Sequence, residues 1–177
     1  MDCFSYKNSS LFCEDVNLQD IANEYGTPTY VYSRKTLEQN IDLYQQSFKN
    51  KNSLICFSVK SLNNLAILKI LNDKECGFDI VSYGELMRVL HVGADPNKII
   101  FSGVGKSETE IIEGINNGIL SFNIESESEL HRIESIASKL KKQVSVAIRF
   151  NPEIDSGGHD YITCLLYTSD AADDRIC

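Results

Sequence analysis

The chain is short of positive charge, of closely spaced cysteines and of long apolar runs, and each shortage removes a class of function. Its 17 lysines and arginines face 25 aspartates and glutamates, a net charge of −8. No Lys/Arg cluster offsets that balance, so neither a nucleic acid nor an anionic membrane surface is an expected partner. The six cysteines include no Cys-x-x-Cys pair, which disfavours a disulfide scaffold and a zinc knuckle; no metal site is expected. The opening Met1-Asp2-Cys3-Phe4-Ser5-Tyr6-Lys7 holds no apolar signal core, and reduced thiols in a cytoplasm fit better. No apolar stretch approaches the roughly 20 residues that cross a bilayer. A Gly-x-Gly-x-x-Gly turn is also missing, which argues against a dinucleotide-binding sheet.

What is present is a repeat. The 177 residues, 42% hydrophobic and 24% charged, suit one soluble domain or part of one. Short β-rich apolar runs at 54–59, 77–81, 98–102, 120–124 and 144–150 alternate with amphipathic stretches at 64–71, 84–92, 108–117 and 127–140. The helical stretches carry apolar residues at three-to-four spacing, as at Ile111, Ile112 and Ile115. The unit recurs about every 22 residues, the length of a compact βα repeat. Runs that are apolar throughout suggest strands covered on both faces, hence a parallel sheet. Gly93, Gly118 and Asp95-Pro96 stand where helices stop and the chain turns. The first fifty residues stand apart, with a short helix predicted over 18–25, a strand over 28–32, and a helix over 34–48 capped by Ser33. The fold class this predicts is α/β, a partial (β/α)8 barrel of about five of the eight units.

Barrel enzymes keep their chemistry at the C-terminal ends of the strands. Those ends carry Lys60, Asp79 with Ser82, Ser102 with Gly103, Asn123 with Glu125, and Arg149 with Asn151. An amine, carboxylates and a guanidinium around one mouth suit a lysine that forms an imine while its partners tune charge. The residues leave a plainer reading open: Lys60 is the first solvated residue after a strand, and strand ends are polar because loops are wet. His159 lies in the loop after the fifth strand; His91 and His131 sit in helical segments and are assigned no chemistry, while Cys56 and Cys76 read as packing residues.

A family likeness runs through residues 25–163. It is carried by Tyr25-Gly26-Thr27-Pro28 with Tyr30-Val31-Tyr32, by Phe57-Ser58-Val59-Lys60 with Asn63-Asn64-Leu65-Ala66, and by Gly77-Phe78-Asp79-Ile80-Val81-Ser82 with Gly84-Glu85-Leu86. Gly93-Ala94-Asp95-Pro96, Ser102-Gly103-Val104-Gly105-Lys106-Ser107, Phe122-Asn123-Ile124-Glu125-Ser126-Glu127 and Arg149-Phe150-Asn151-Pro152-Glu153-Ile154-Asp155 follow in order. With these motifs the chain resembles the diaminopimelate decarboxylases, among the fold type III, alanine-racemase-like pyridoxal-phosphate enzymes.

The resemblance implies that Lys60 is the catalytic lysine, joined covalently to pyridoxal 5'-phosphate. It implies cofactor contacts for Asp79, for Arg149 near the ring hydroxyl, for Ser58 beneath the ring and for Glu85. Glu85 also has a plain electrostatic reason to stand in the first turn of a helix. The implied activity is decarboxylation of meso-diaminopimelate to L-lysine, by a cytoplasmic homodimer acting on a small amino-acid substrate. Rival readings are another fold type III decarboxylase, acting on carboxynorspermidine or ornithine, a non-catalytic pyridoxal-phosphate-binding barrel, and an aldolase-type barrel with a strand lysine. The implied organisation is an N-terminal segment at 1–33 that belongs to a β-domain, a truncated barrel at 34–163, and a non-family, artefactual tail at 164–177. The chain is therefore expected to be an inactive fragment that aggregates or folds only in part.

Overall fold

The fold is taken from a computed structural model that describes residues 3–150. The chain divides into two compact units between Ile55 and Cys56.

The first unit opens on an antiparallel meander of β1 (Phe4–Lys7), β2 (Ser10–Cys13) and β3 (Val16–Asn17), followed by α1 (Leu18–Tyr25) and α2 (Arg34–Phe48). Lys7 pairs with Ser10, which leaves Asn8 and Ser9 as a two-residue turn with φ of 51° and 65°. Positive φ at both positions matches the twist of a tight hairpin, and asparagine tolerates it. Asn17 caps α1 by accepting the Gln19 N–H at 2.9 Å, and Ser33 caps α2 by accepting that of Thr36 at 3.0 Å. The strand predicted over 28–32 does not form. No described strand pairs with it, Pro28 has no N–H to give a ladder, and Tyr30 and Tyr32 stand exposed. Helix α2, predicted to open the barrel segment, groups by proximity with this first unit.

The second unit is the βα repeat: β4 (Cys56–Ser58), α3 (Leu65–Asp73), β5 (Gly77–Ile80), α4 (Tyr83–His91), β6 (Ile99–Phe101), α5 (Glu108–Asn117), β7 (Ser121–Ile124), α6 (Glu127–Leu140) and β8 (Val146–Ile148). The five strands are parallel and lie in the order β4-β5-β6-β7-β8. Spatial order that follows chain order, with helical crossovers, is the wall of a (β/α)8 barrel; a doubly wound sheet reverses at a switch point. The strands are shorter than the apolar runs because only paired residues count: Cys56, opposite Gly77, is the first of its run with a partner.

The prediction of strands apolar on both faces holds for one face. Phe78, Ile80, Ile99, Phe101, Phe122 and Ile124 are buried, and the Phe101 and Phe122 rings stack with centroids 6.0 Å apart. The alternate positions, Cys56, Ser58, Asp79, Ile100, Ser121 and Asn123, are half-buried and largely polar. Alternation along a strand sends these residues to the opposite face, the lumen side of the barrel wall.

Two glycines of α5 have separate reasons to be there. Gly118 ends the helix in the left-handed conformation at φ 70°. Gly114 is buried, and a Cβ there would lie 2.7 Å from the Phe122 ring. Gly114→Ala is therefore expected to lose up to about 2 kcal/mol of stability, overpacking of about 1–3 kcal/mol being offset by roughly 1 kcal/mol of helix propensity. A higher urea midpoint than the parent's would contradict this.

Three helices begin with Ser-x-x-Glu: Ser82 to Glu85 at α4, Ser107 to Glu110 at α5, and Ser126 to Glu129 at α6. In each the serine Oγ accepts the glutamate N–H, and the glutamate side chain reaches beyond its own helix. Glu85 accepts the Val81 N–H at 2.8 Å. Glu110 accepts those of Ser107 and Tyr83, each at 2.9 Å, and so joins the starts of α4 and α5. Burial acts to raise the Glu110 pKa, but the N–H groups of Ser107 and Tyr83 outweigh it and the net shift is downward. A depressed carboxyl contributes stability above its unfolded pKa and loses it as pH falls through the folded one. Glu110→Gln is thus expected to cost about 1 kcal/mol at neutral pH, on the scale of a lost cap. The difference should close on acidification below the ordinary glutamate range; a pH-independent difference in denaturation would contradict the assignment.

Candidate active site

The C-terminal end of the parallel sheet gathers the polar residues. β4 ends at Ser58, and a single 3₁₀ turn, Val59–Ser61, carries Lys60. Ser61 closes that turn by donating to the Ser58 carbonyl at 2.6 Å, so Lys60 stands just past the strand on a pinned turn, which also takes in Val59 from the predicted run. Lys60 is exposed and makes no hydrogen bond or ion pair with any described residue.

Asp79, on the adjacent strand, is in register with Ser58. Its carboxylate accepts from Ser102 Oγ at 2.5 Å, and Ser102 Oγ accepts from Asn123 Nδ2 at 2.9 Å. The amide can only donate, so the one hydroxyl proton of Ser102 must point at Asp79. The chain of bonds has a fixed polarity across the ends of β5, β6 and β7. Ser58 Oγ, on the same face, is buried without a hydrogen-bond partner among the described residues. Such a hydroxyl costs about 1–3 kcal/mol unless a bound group satisfies it.

A second arm lies further along. Arg149 Nη1 donates to Glu125 Oε1 at 2.9 Å, with the arginine side chain 44% exposed. The Arg149 N–H bonds the Ile124 carbonyl at 2.8 Å, continuing the register of β7 and β8. Cys56, predicted as core, lies half-buried on the lumen face; burial foremost, and then the neighbouring Asp79 charge, push its thiol pKa up.

Of the five predicted site residues, the structure places Ser58 and Asp79 side by side, Lys60 just beyond them, and Arg149 at the far strand in its own ion pair. Glu85 is buried and committed to the Val81 N–H, which makes it a support for the strand end. Asn151 and His159, and the whole of 151–177, lie outside the described residues.

Sequence reasoning missed a pair that the fold makes prominent. Lys106 is 3% exposed, and its ammonium donates to the Gly103 carbonyl at 2.8 Å, the Asn123 carbonyl at 2.7 Å and Glu129 Oε1 at 2.8 Å. The available signal was the recurring Ser-x-x-Glu, whose third copy supplies Glu129. Two lysines thus stand near the mouth in opposite states. Lys106 has all three donors engaged, whereas the Lys60 amine has no partner among the described residues.

A barrel wall with a lysine past one strand and a buried hydroxyl on its lumen face, neither partnered among the described residues, is an arrangement suited to a lysine-dependent barrel enzyme. The comparisons make this specific: the chain belongs to the pyridoxal-dependent decarboxylases, matching the model of their pyridoxal binding domain over residues 34–168.

Diaminopimelate decarboxylase of Haemophilus influenzae is 45% identical over 163 residues, 92% of this chain and 39% of that protein. Among solved structures, diaminopimelate decarboxylase from M. jannaschii in co-complex with L-lysine superposes with a TM-score of 0.85 at 33% identity, covering 94% of this chain and 40% of that one. The Helicobacter pylori enzyme complexed with L-lysine gives 0.79 at 41% identity, covering 82% and 37%. The chain thus spans about two fifths of the length of the relatives it matches. The residues present fit pyridoxal 5'-phosphate: an amine and a lumen-face hydroxyl with no partner among the described residues, and an oriented carboxylate in register with the hydroxyl.

Proposed function

We propose that this chain is the pyridoxal-binding part of a diaminopimelate decarboxylase, which releases carbon dioxide from meso-diaminopimelate and leaves L-lysine. The observation that carries the reading is the amine of Lys60, unengaged by any described residue, just past Ser58 and Asp79 on a chain 45% identical to a protein of that name. When bound, the cofactor supplies an electron sink for the bond that loses carbon dioxide. The chain's own residues hold and orient. Lys60 offers the nucleophilic amine, effective in its neutral form. Ser58 offers its free hydroxyl, Asp79 a carboxylate aimed by Ser102 and Asn123, and Arg149 a guanidinium steadied by Glu125. We place the enzyme in the cytoplasm as a homodimer, in keeping with its family likeness; no helix among the described residues is long and apolar enough to cross a membrane.

The test is an assay of the complete gene product carrying this sequence, with pyridoxal 5'-phosphate and meso-diaminopimelate, for carbon dioxide and L-lysine. Preference for ornithine, arginine or carboxynorspermidine would sink the substrate assignment. Cofactor uptake with no carbon dioxide from any amino acid would favour the non-catalytic reading.

A further inference from the structure

We infer that the buried Lys106–Glu129 pair is a latch that holds the two polar arms of the site in fixed relation, which makes both residues positioning residues. The inference rests on the proposed function only in taking the ligand of those arms to be pyridoxal 5'-phosphate.

The geometry is economical. Lys106 comes from the loop after β6 and Glu129 from the first turn of α6, and their side chains are 1% and 5% exposed. One N–H of the ammonium goes to the Asn123 carbonyl. The second oxygen of Glu129 accepts the Glu125 N–H at 3.0 Å. The pair therefore grips the backbone on both sides of Ile124, at the end of β7. Each gripped residue begins one arm: Asn123 donates to Ser102 and on to Asp79, and Glu125 accepts from Arg149. The latch is itself tied down, since Lys106 also bonds the Gly103 carbonyl and its own carbonyl accepts from Arg132 Nη1 at 3.1 Å. A shift of the β7 end would move both arms together.

Stability alone is a poor reason for such a pair. Desolvating two charges costs much of what their attraction returns, and well-packed apolar replacements of both partners are commonly neutral or better. A latch and a mere packing unit therefore respond differently to the double variant Lys106→Met/Glu129→Leu. As a latch, its loss leaves the melt close to the parent's. It also weakens pyridoxal 5'-phosphate binding by about tenfold to a hundredfold, the scale on which small misplacements act, and speeds hydrogen exchange at the Glu125 amide by at least about tenfold.

The test uses the complete gene product, read by melting temperature, pyridoxal 5'-phosphate titration and amide exchange. A variant that melts like the parent, binds the cofactor as tightly and protects Glu125 as well overturns the inference. Should the double variant lose its cooperative melt, Glu129→Gln decides by the same two readings, because it leaves one acceptor oxygen where two are used. The parent provides a check without any variant: its Glu125 amide must exchange as slowly as that of Phe122, which bonds Ser145 within the sheet. Exchange at the rate of an exposed loop overturns the latch directly. If the parent takes up no pyridoxal 5'-phosphate, the proposed function fails, and the Glu125 exchange rates still decide for or against the latch.

Discussion

Lys60→Ala in the complete gene product is expected to lower turnover by about 10³-fold or more, the scale on which removing a catalytic nucleophile acts. Lys60→Arg should fail almost as badly, although it keeps the charge and length, because a guanidinium is never deprotonated in a protein and cannot attack a carbonyl carbon. The pair of variants separates nucleophilic from electrostatic service, since a lysine needed only for its charge would be rescued by arginine. Borohydride reduction of the parent with pyridoxal 5'-phosphate should fix the label on the peptide that contains Lys60. The competing site is Lys106, and the structure argues against it: that ammonium has a neighbouring carboxylate and two carbonyls for its three donors, whereas Lys60 has none among the described residues. A label on Lys106, or more than about a tenth of the activity in Lys60→Ala, would remove Lys60 from the centre of the site, since so small a loss is worth only ~1.4 kcal/mol of barrier.

Much of the helical structure of both units was legible because local signals agreed with one another. The helices over 18–25, 34–48, 108–117 and 127–140 form over the predicted residues, where caps and apolar spacing point the same way. Strands were legible as apolar runs but not in extent, because pairing sets their ends and pairing is not local: Leu54 and Ile55 continue the run of β4 yet lie outside its ladder. The meander of β1 to β3 escaped notice since its strands span only two to four residues, and the tight turn at Asn8-Ser9 was its one readable sign. The strand over 28–32 failed in the opposite way, with β-favouring tyrosines and no described partner.

For the site, position was readable and partnership was not. Lys60, Asp79, Ser102, Asn123, Glu125 and Arg149 were all marked as strand-end residues, and the structure puts each at the C-terminal end of its strand or just beyond it. That Ser102 would lie between Asp79 and Asn123 requires three strands in register. The burial of Lys106 depends on Glu129, 23 residues away, arriving beside it; in the sequence it is one more lysine after a glycine-rich turn. Glu85 shows partnership of another kind, one of its carboxylate oxygens accepting the Val81 N–H at the end of β5.

Phe122→Ala is expected to produce the largest loss of stability of any substitution considered, about 3–5 kcal/mol, as for buried aromatics truncated to alanine. Phe122 is 1% exposed, sits on β7 between two paired neighbours, stacks on Phe101 and presents its ring edge to Gly114. Its removal leaves a void under α5 where the ring was. That void gives Gly114 a second use as a probe. In the parent a Cβ at position 114 collides with the ring, but in Phe122→Ala that collision is gone, Ile119 Cδ1 at 3.1 Å can shift into the cavity, and the methyl fills part of it. Gly114→Ala should therefore change sign, from a cost of up to about 2 kcal/mol alone to a gain approaching the ~1 kcal/mol of helix propensity in the Phe122→Ala background. The double-mutant cycle should close with a coupling of roughly 2 kcal/mol, in the range found for residues in contact. Urea unfolding of the four proteins measures it, and additivity within a few tenths of a kcal/mol would mean that Gly114 is not there to make room for Phe122. The stake extends to the site, because Asn123 follows Phe122 on the same strand. A β7 that loses its anchor on the helix side loses the footing from which Asn123 aims Ser102 at Asp79.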